Sequence, residues 1–124
     1  DPELTMKLPA QLTAATGMKK VADETVAANP AEGWVSKWEK VEKNSGNQGM
    51  AIIASPADFV EHTSDSLNQL VLLKPDKDNV ATYWFGSAWD KAGRFTDAES
   101  WKAHVAEQAK GLAKPMEVTV KTIP

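Results

Sequence analysis

Clusters of proline, glycine, asparagine and aspartate cut this chain so often that, before residue 96, its apolar runs suit only strands. The breaks are Asn29-Pro30-Ala31-Glu32-Gly33, Lys43-Asn44-Ser45-Gly46-Asn47, Ser55-Pro56 and Pro75-Asp76-Lys77-Asp78-Asn79, all rich in residues that favour turns. Between them, Trp34 to Val41 reads as a strand with Trp34 and Trp38 on one face, because side chains alternate along a strand. Met50 to Ala54 reads as a second strand, ended at Pro56 because proline cannot donate to a ladder. These two are expected to form an antiparallel pair. Residues 56–66, carrying Phe59 and His62, are expected to be loop or a short helical turn. Leu67 to Leu73 is a third strand, whose run Leu70-Val71-Leu72-Leu73 implies burial on both faces. Val80 to Phe85 is a fourth, β-branched and aromatic. The short break between the third and fourth implies a hairpin. Residues 8–32 fit neither period and read as extended or irregular.

One segment has helical spacing. Thr96 with Glu99 forms a capping-box pattern. Ala98, Trp101, Val105 and Leu112 lie on one stripe, with Ala109 beside them, and Gly111 and Pro115 bracket the stop. Met116, Val118 and Val120 then alternate with polar residues as a fifth, half-buried strand. The expected fold is α+β: an antiparallel sheet of about five strands, resembling half a sandwich, with one C-terminal helix packed on it.

A chain of 124 residues suits one domain. Asp1-Pro2-Glu3-Leu4-Thr5 precedes Met6 and reads as an expression-vector scar, leaving residues 6–124 as the domain. Without Asp1 and Glu3, fifteen acidic residues face fourteen basic ones, a net charge of −1. Weak self-repulsion does not oppose association. Lys7 and Leu8 lead into Pro9 rather than an apolar core, so no signal peptide follows Met6.

Composition removes several chemistries. With no cysteine, disulfides, thiolate metal sites and cysteine nucleophiles are excluded. His62 and His104 lack metal-ligand spacing, so no metal and no cofactor is expected. Ser87 follows a glycine but lacks the second glycine of a nucleophile elbow. No phosphate-cradling glycine loop is present. Asp76-Lys77-Asp78-Asn79 lacks the glycine and distal glutamate of a calcium loop and reads as a turn. The mild acidity offers nothing to nucleic acid, and no apolar run reaches the roughly 18 residues of a membrane span.

Aromatic residues stand out. Five tryptophans are present, and Tyr83, Trp84, Phe85 and Trp89 cluster just before Asp90, Lys91 and Arg94. Flat rings beside hydrogen-bonding groups suit sugars, which offer apolar C–H patches rimmed by hydroxyls. A core or an interface is the commoner place for such rings.

Tyr83-Trp84-x-Gly86-x-x-Trp89-x-Lys91, then Phe95, Trp101 and Pro115-x-x-Val118-x-Val120, resembles the C-terminal end of the DUF4861 family, a domain of unknown function. Gly33-Trp34, Trp38-Glu39 and Gly46-Asn47-x-Gly49 resemble the segment before it. The similarity spans residues 10–121. It implies a galactose-mutarotase-like sandwich, a bacterial, secreted or periplasmic setting, and a role near polysaccharide degradation. Family members are usually much longer, so a chain matching their end would leave raw sheet edges and an uncovered apolar face. A homodimer or higher homo-oligomer is therefore expected.

The leading expectation is a small carbohydrate-associated domain that binds or processes an oligosaccharide or a uronic-acid-containing sugar. Trp34, Trp84, Trp89 and Arg94 would bind it. If the chain is an enzyme, His62 and Asp90 would carry hydrolase or lyase chemistry. The alternatives are a small ester or lactone hydrolase, with or without a metal, and a non-enzymatic oligomerising module.

Overall fold

The computed structural model describes residues 3–7 and 13–113. Eight strands and one α-helix are described: β1 (Glu3–Lys7), β2 (Ala14–Lys19), β3 (Thr25–Asn29), β4 (Trp34–Lys40), β5 (Asn47–Ile53), β6 (Phe59–Ser64), β7 (Asn68–Leu73), β8 (Val80–Trp89) and α1 (Ala98–Ala113). They build a five-stranded sheet, ordered β1-β8-β5-β4-β3, and a three-stranded sheet, ordered β2-β7-β6. Every pairing is antiparallel. The α+β class expected from sequence is the class found.

The large sheet is the middle layer. On one face, Val35, Ile52 and Ala81 pack against Met18, Phe59, Val71 and Leu73 of the small sheet. On the other, Trp34, Trp38, Ala51 and Ile53 pack beneath Trp101, Val105 and Ala109 of α1. Burying both faces explains why β4 is buried at six of its seven positions. The apolar face expected to lie bare is covered by α1 over β4 and β5.

Local chemistry accounts for the β3–β4–β5 meander. Asn29 Oδ1 accepts the Glu32 N–H in the first turn. Gly33 closes it at φ +85°, where a Cβ would lie 2.2 Å from the Ala54 carbonyl oxygen, a place only glycine can occupy. Gly49 serves packing instead: the Trp101 indole lies flat over it, and a Cβ there would meet ring carbons at 2.6 Å. Trp101 Nε1–H donates to the Met50 carbonyl at 3.2 Å, so the helix is keyed to the sheet by shape and by a hydrogen bond.

The structure corrects several local expectations and gives detail to others. The third and fourth strands do not form a hairpin: β7 pairs with β2 and β6, while β8 pairs with β5 and β1. Asp76 Oδ1 accepts the N–H groups of Asp78 and Val80, and this turn carries the chain across to the other sheet. The segment containing Phe59 and His62 is strand, not loop. Residues 14–19 and 25–29, within the stretch expected to be extended or irregular, are extended as strands; their small and polar side chains hide a period that pairing with apolar neighbours supplies. The helix cap is Asp97, whose Oδ1 accepts the Ser100 N–H at 2.8 Å. Glu99 faces Lys102 at 3.3 Å rather than closing a box with Thr96, and Gly111 lies within the helix. Glu3, Leu4 and Thr5, within the stretch read as an expression-vector scar, pair in β1 with Trp84, Tyr83 and Thr82. The strand expected at 116–120 lies outside the described residues.

Candidate functional site

Register places Val35, Lys37 and Glu39 of β4 on the face toward the small sheet, opposite Ile52, Met50 and Gln48 of β5. These in turn face Phe85, Ser87 and Trp89 of β8. The face is therefore apolar at one end and polar at the other. The outermost row is Glu39, Gln48 and Trp89, on strands roughly 4.8 Å apart. The small sheet covers the β4 end of these rows but not the β8 end, since Lys37 is 1% exposed while Ser87 lies open.

A lysine buried so deeply must have its charge compensated. Lys37 Nζ donates to Glu24 Oε1 at 3.0 Å, and it also contacts Glu39 Oε1 and the Lys19 carbonyl. Three acceptors match the three protons of an ammonium. Glu39 accepts from Gln48 Nε2 at 2.6 Å, and Glu24 from Gln69 Nε2 at 2.8 Å. Gln69 Oε1 lies 2.9 Å from His62 Nε2; with the amide nitrogen of Gln69 already donating, its oxygen accepts from the imidazole. One chain of contacts thus runs from His62 in the small sheet to Gln48 in the large one.

His62 reaches this network through a bulge. β6 pairs Phe59 with Leu73 and His62 with Val71, the register shifting between Phe59 and Glu61. An extra residue lets two side chains three positions apart face the same side.

Electrostatics make the network a holder rather than a proton donor. Burial pushes the Glu24 carboxyl up, but Gln69, the Val21 N–H and Lys37 together hold it below the usual glutamate range. Glu24 therefore stays ionised at neutral pH. Lys37, its protons all engaged, is not placed to act as a nucleophile. Among the described residues, no three histidine or acidic side chains converge as a metal site.

Trp89 borders this network as its aromatic member. Its indole N–H donates to the Ser45 carbonyl at 2.7 Å, which pins one edge of the ring. The side chain is still 47% exposed. Asp90 follows it in a 3-10 turn, Asp90–Ala92, and accepts from Asn47 Nδ2 at 3.0 Å. The side chain and backbone N–H of Asn47, with Lys91, hold the Asp90 carboxyl below its usual range.

The family model for the domain of unknown function DUF4861 matches residues 3–118. The chain belongs to that family. Neither the curated proteins nor the solved structures contain a significant match. The DUF4861 match spans every member of the polar network and all five tryptophans, and it bears out the resemblance read from the tryptophan and glycine spacings.

Within this DUF4861 fold the residues singled out from sequence separate into groups. His62 and Trp89 lie on the inter-sheet side, with Asp90 next to Trp89 in the chain. Their hydrogen bonds run to different partners, His62 to Gln69 and Asp90 to Asn47. Trp84 is half-buried on the opposite face, among the residues under α1. Arg94 sits over the Phe95 ring at 5.1 Å, also on the helix side. Trp34 is 5% exposed in the helix-side core, its indole N–H on Glu32, so it presents no ring face to solvent. Sequence reading missed Glu24, Lys37, Glu39, Gln48 and Gln69. One signal was available: a strand with tryptophans on one face and Val-Lys-Glu on the other must bury charge once both faces are covered.

Proposed function

We propose that this DUF4861 domain binds an oligosaccharide on the open ledge at the β8 end of the inter-sheet face. The observation that carries this reading is Trp89, edge-pinned, about half exposed, and in register with Gln48 and Glu39. A sugar ring would stack its C–H face on the indole. Its hydroxyls would meet the Gln48 amide, whose position Glu39 sets. A fixed ring and a fixed amide lower the ordering cost of binding. The carbohydrate association implied for the family points the same way.

Calorimetric titration with a panel of neutral and uronic-acid oligosaccharides tests this, with reducing-end release monitored for turnover. Trp89→Ala should weaken binding by about tenfold or more, the worth of one stacked ring, with the melting temperature little changed because the side chain is exposed. Unaltered affinity in that variant, or no binding across the panel, would sink the reading.

A further inference from the structure

The helix side of the large sheet carries a second, chemically different cavity. α1 lies over β4 and β5 and leaves the β8 half of that face open. Between them is a groove of about 320 Å³, within the usual range of small-molecule sites, about 300–1,000 Å³. Its helix wall includes His104, Gln108 and Leu112, one stripe at four-residue spacing, beside Trp101 and Val105. Trp84 of β8 lines the sheet side, so an indole stands on each wall. Among the described residues, no charged side chain lines it unless His104 takes a proton, and burial together with the nearby Arg94 charge lowers the His104 pKa.

Gly86 supplies the independent observation. Glycine weakens a strand interior, and where it occurs there it marks a bulge, a crowded backbone, or a close approach by a ligand. Each described strand glycine can be checked against these causes. A Cβ at Gly17 would lie 2.8 Å from the Gln69 carbonyl oxygen, and one at Gly49 would strike Trp101 at 2.6 Å. At Gly86 the nearest atom would be Trp101 Cη2 at 4.0 Å, an ordinary contact, and the backbone has no positive φ there. The pairing with β5 runs through it without a bulge. Among the described residues, neither conformation nor packing calls for glycine there. Gly86 forms part of the groove lining, so among the described residues the missing side chain leaves open space over the sheet.

We propose that this groove binds an uncharged small molecule with a flat apolar ring and a hydrogen-bonding substituent. The ring would lie over Gly86 between the two indoles, and its substituent would meet Gln108 or His104. This site is separate from the Trp89 ledge, which lies on the other face of the sheet.

The probes are 2-naphthol and its anionic relative 2-naphthoate, titrated at neutral pH into ¹⁵N-labelled protein. Saturable shifts are expected for 2-naphthol at the Gly86 amide, the Trp101 indole N–H and the Gln108 side-chain amide, with 2-naphthoate roughly tenfold weaker. Gly86→Val, which fills the groove from the sheet, should weaken 2-naphthol by about tenfold or more. Gln108→Trp fills it from the exposed helix flank and should do the same, which keeps the test decisive if the valine variant folds poorly. The proposal is overturned by an absence of saturable shifts at millimolar probe, by shifts confined to Trp89, by equal binding of the anion, or by full affinity in a folded groove-filling variant. Trp89→Ala should leave 2-naphthol binding unchanged, so failure of the ledge reading and of the groove reading remain distinguishable.

Discussion

Replacing Lys37 with methionine isolates the polar network. The lysine side chain is wholly buried, and its ammonium neutralises two carboxylates that are themselves 8% and 6% exposed. Methionine has a similar length, so the loss is electrostatic rather than steric. Glu24 would keep Gln69 and the Val21 N–H, whereas Glu39 would keep Gln48 alone among the side-chain bonds seen here. Removing one partner of a buried ion pair costs about 3–5 kcal/mol, because the other charge is left uncompensated. At roughly 3–5 °C per kcal/mol for a domain of this size, the melting temperature should fall by about 10–20 °C. Neutralising the network as a whole, in Lys37→Met with Glu24→Gln and Glu39→Gln, should recover most of that loss. The sign with pH follows from Glu24. Its native pKa is depressed, so it contributes stability above the ordinary glutamate range and loses it as pH falls through the lowered value. Without Lys37 less of that contribution exists, and the gap between variant and parent should narrow on acidification. Thermal and urea unfolding at neutral and acidic pH measure all of this. A neutral-pH loss under about 1 kcal/mol, the worth of an exposed pair, would refute the reasoning. So would a triple variant no more stable than the single one.

Gly49→Ala places a Cβ against the Trp101 ring and should destabilise the fold by about 1–3 kcal/mol, visible as a lower urea midpoint; a midpoint within error of the parent would contradict the flat indole placement. Asp97→Ala should lower the melting temperature by a few degrees and Thr96→Ala should not, because Asp97 makes the cap bond. The Ser100 backbone N–H, and then its side chain, hold the Asp97 carboxyl below its usual range. The cap therefore acts above the ordinary carboxylate range and fades as pH falls through the lowered value. Circular dichroism against temperature and pH separates the two variants, and equal effects from both would restore Thr96 as the cap.

Much of the fold was legible because its signals are local. The breaks at Asn29–Gly33 and Lys43–Asn47 mark turns by residue type, and the meander β3–β4–β5 bends at both. The helix showed itself by the spacing of Trp101, Val105 and Ala109. The β7–β8 hairpin misled because two apolar strands separated by a turn look the same whether they pair with each other or diverge into separate sheets. His62 read as a loop residue because the bulge that turns it inward breaks the alternation a reader relies on. Lys37 and Glu39 passed as ordinary strand charges, since burial depends on a second sheet whose β2 and β6 carry weak patterns of their own.

Residue order alone decided the punctuation of the chain, the strand character of β4, β5, β7 and β8, the single helix, the family, and the excess of tryptophan. Those are properties of neighbours along the chain: turn chemistry, period and composition. Tertiary structure decided which tryptophans face solvent, which strands share a sheet, and where charge is buried. It set Trp34 under α1, Trp89 at the open end of a polar row, and Gly86 in the wall of an apolar groove. Burial and pairing are set by residues far apart in sequence, so no local pattern encodes them.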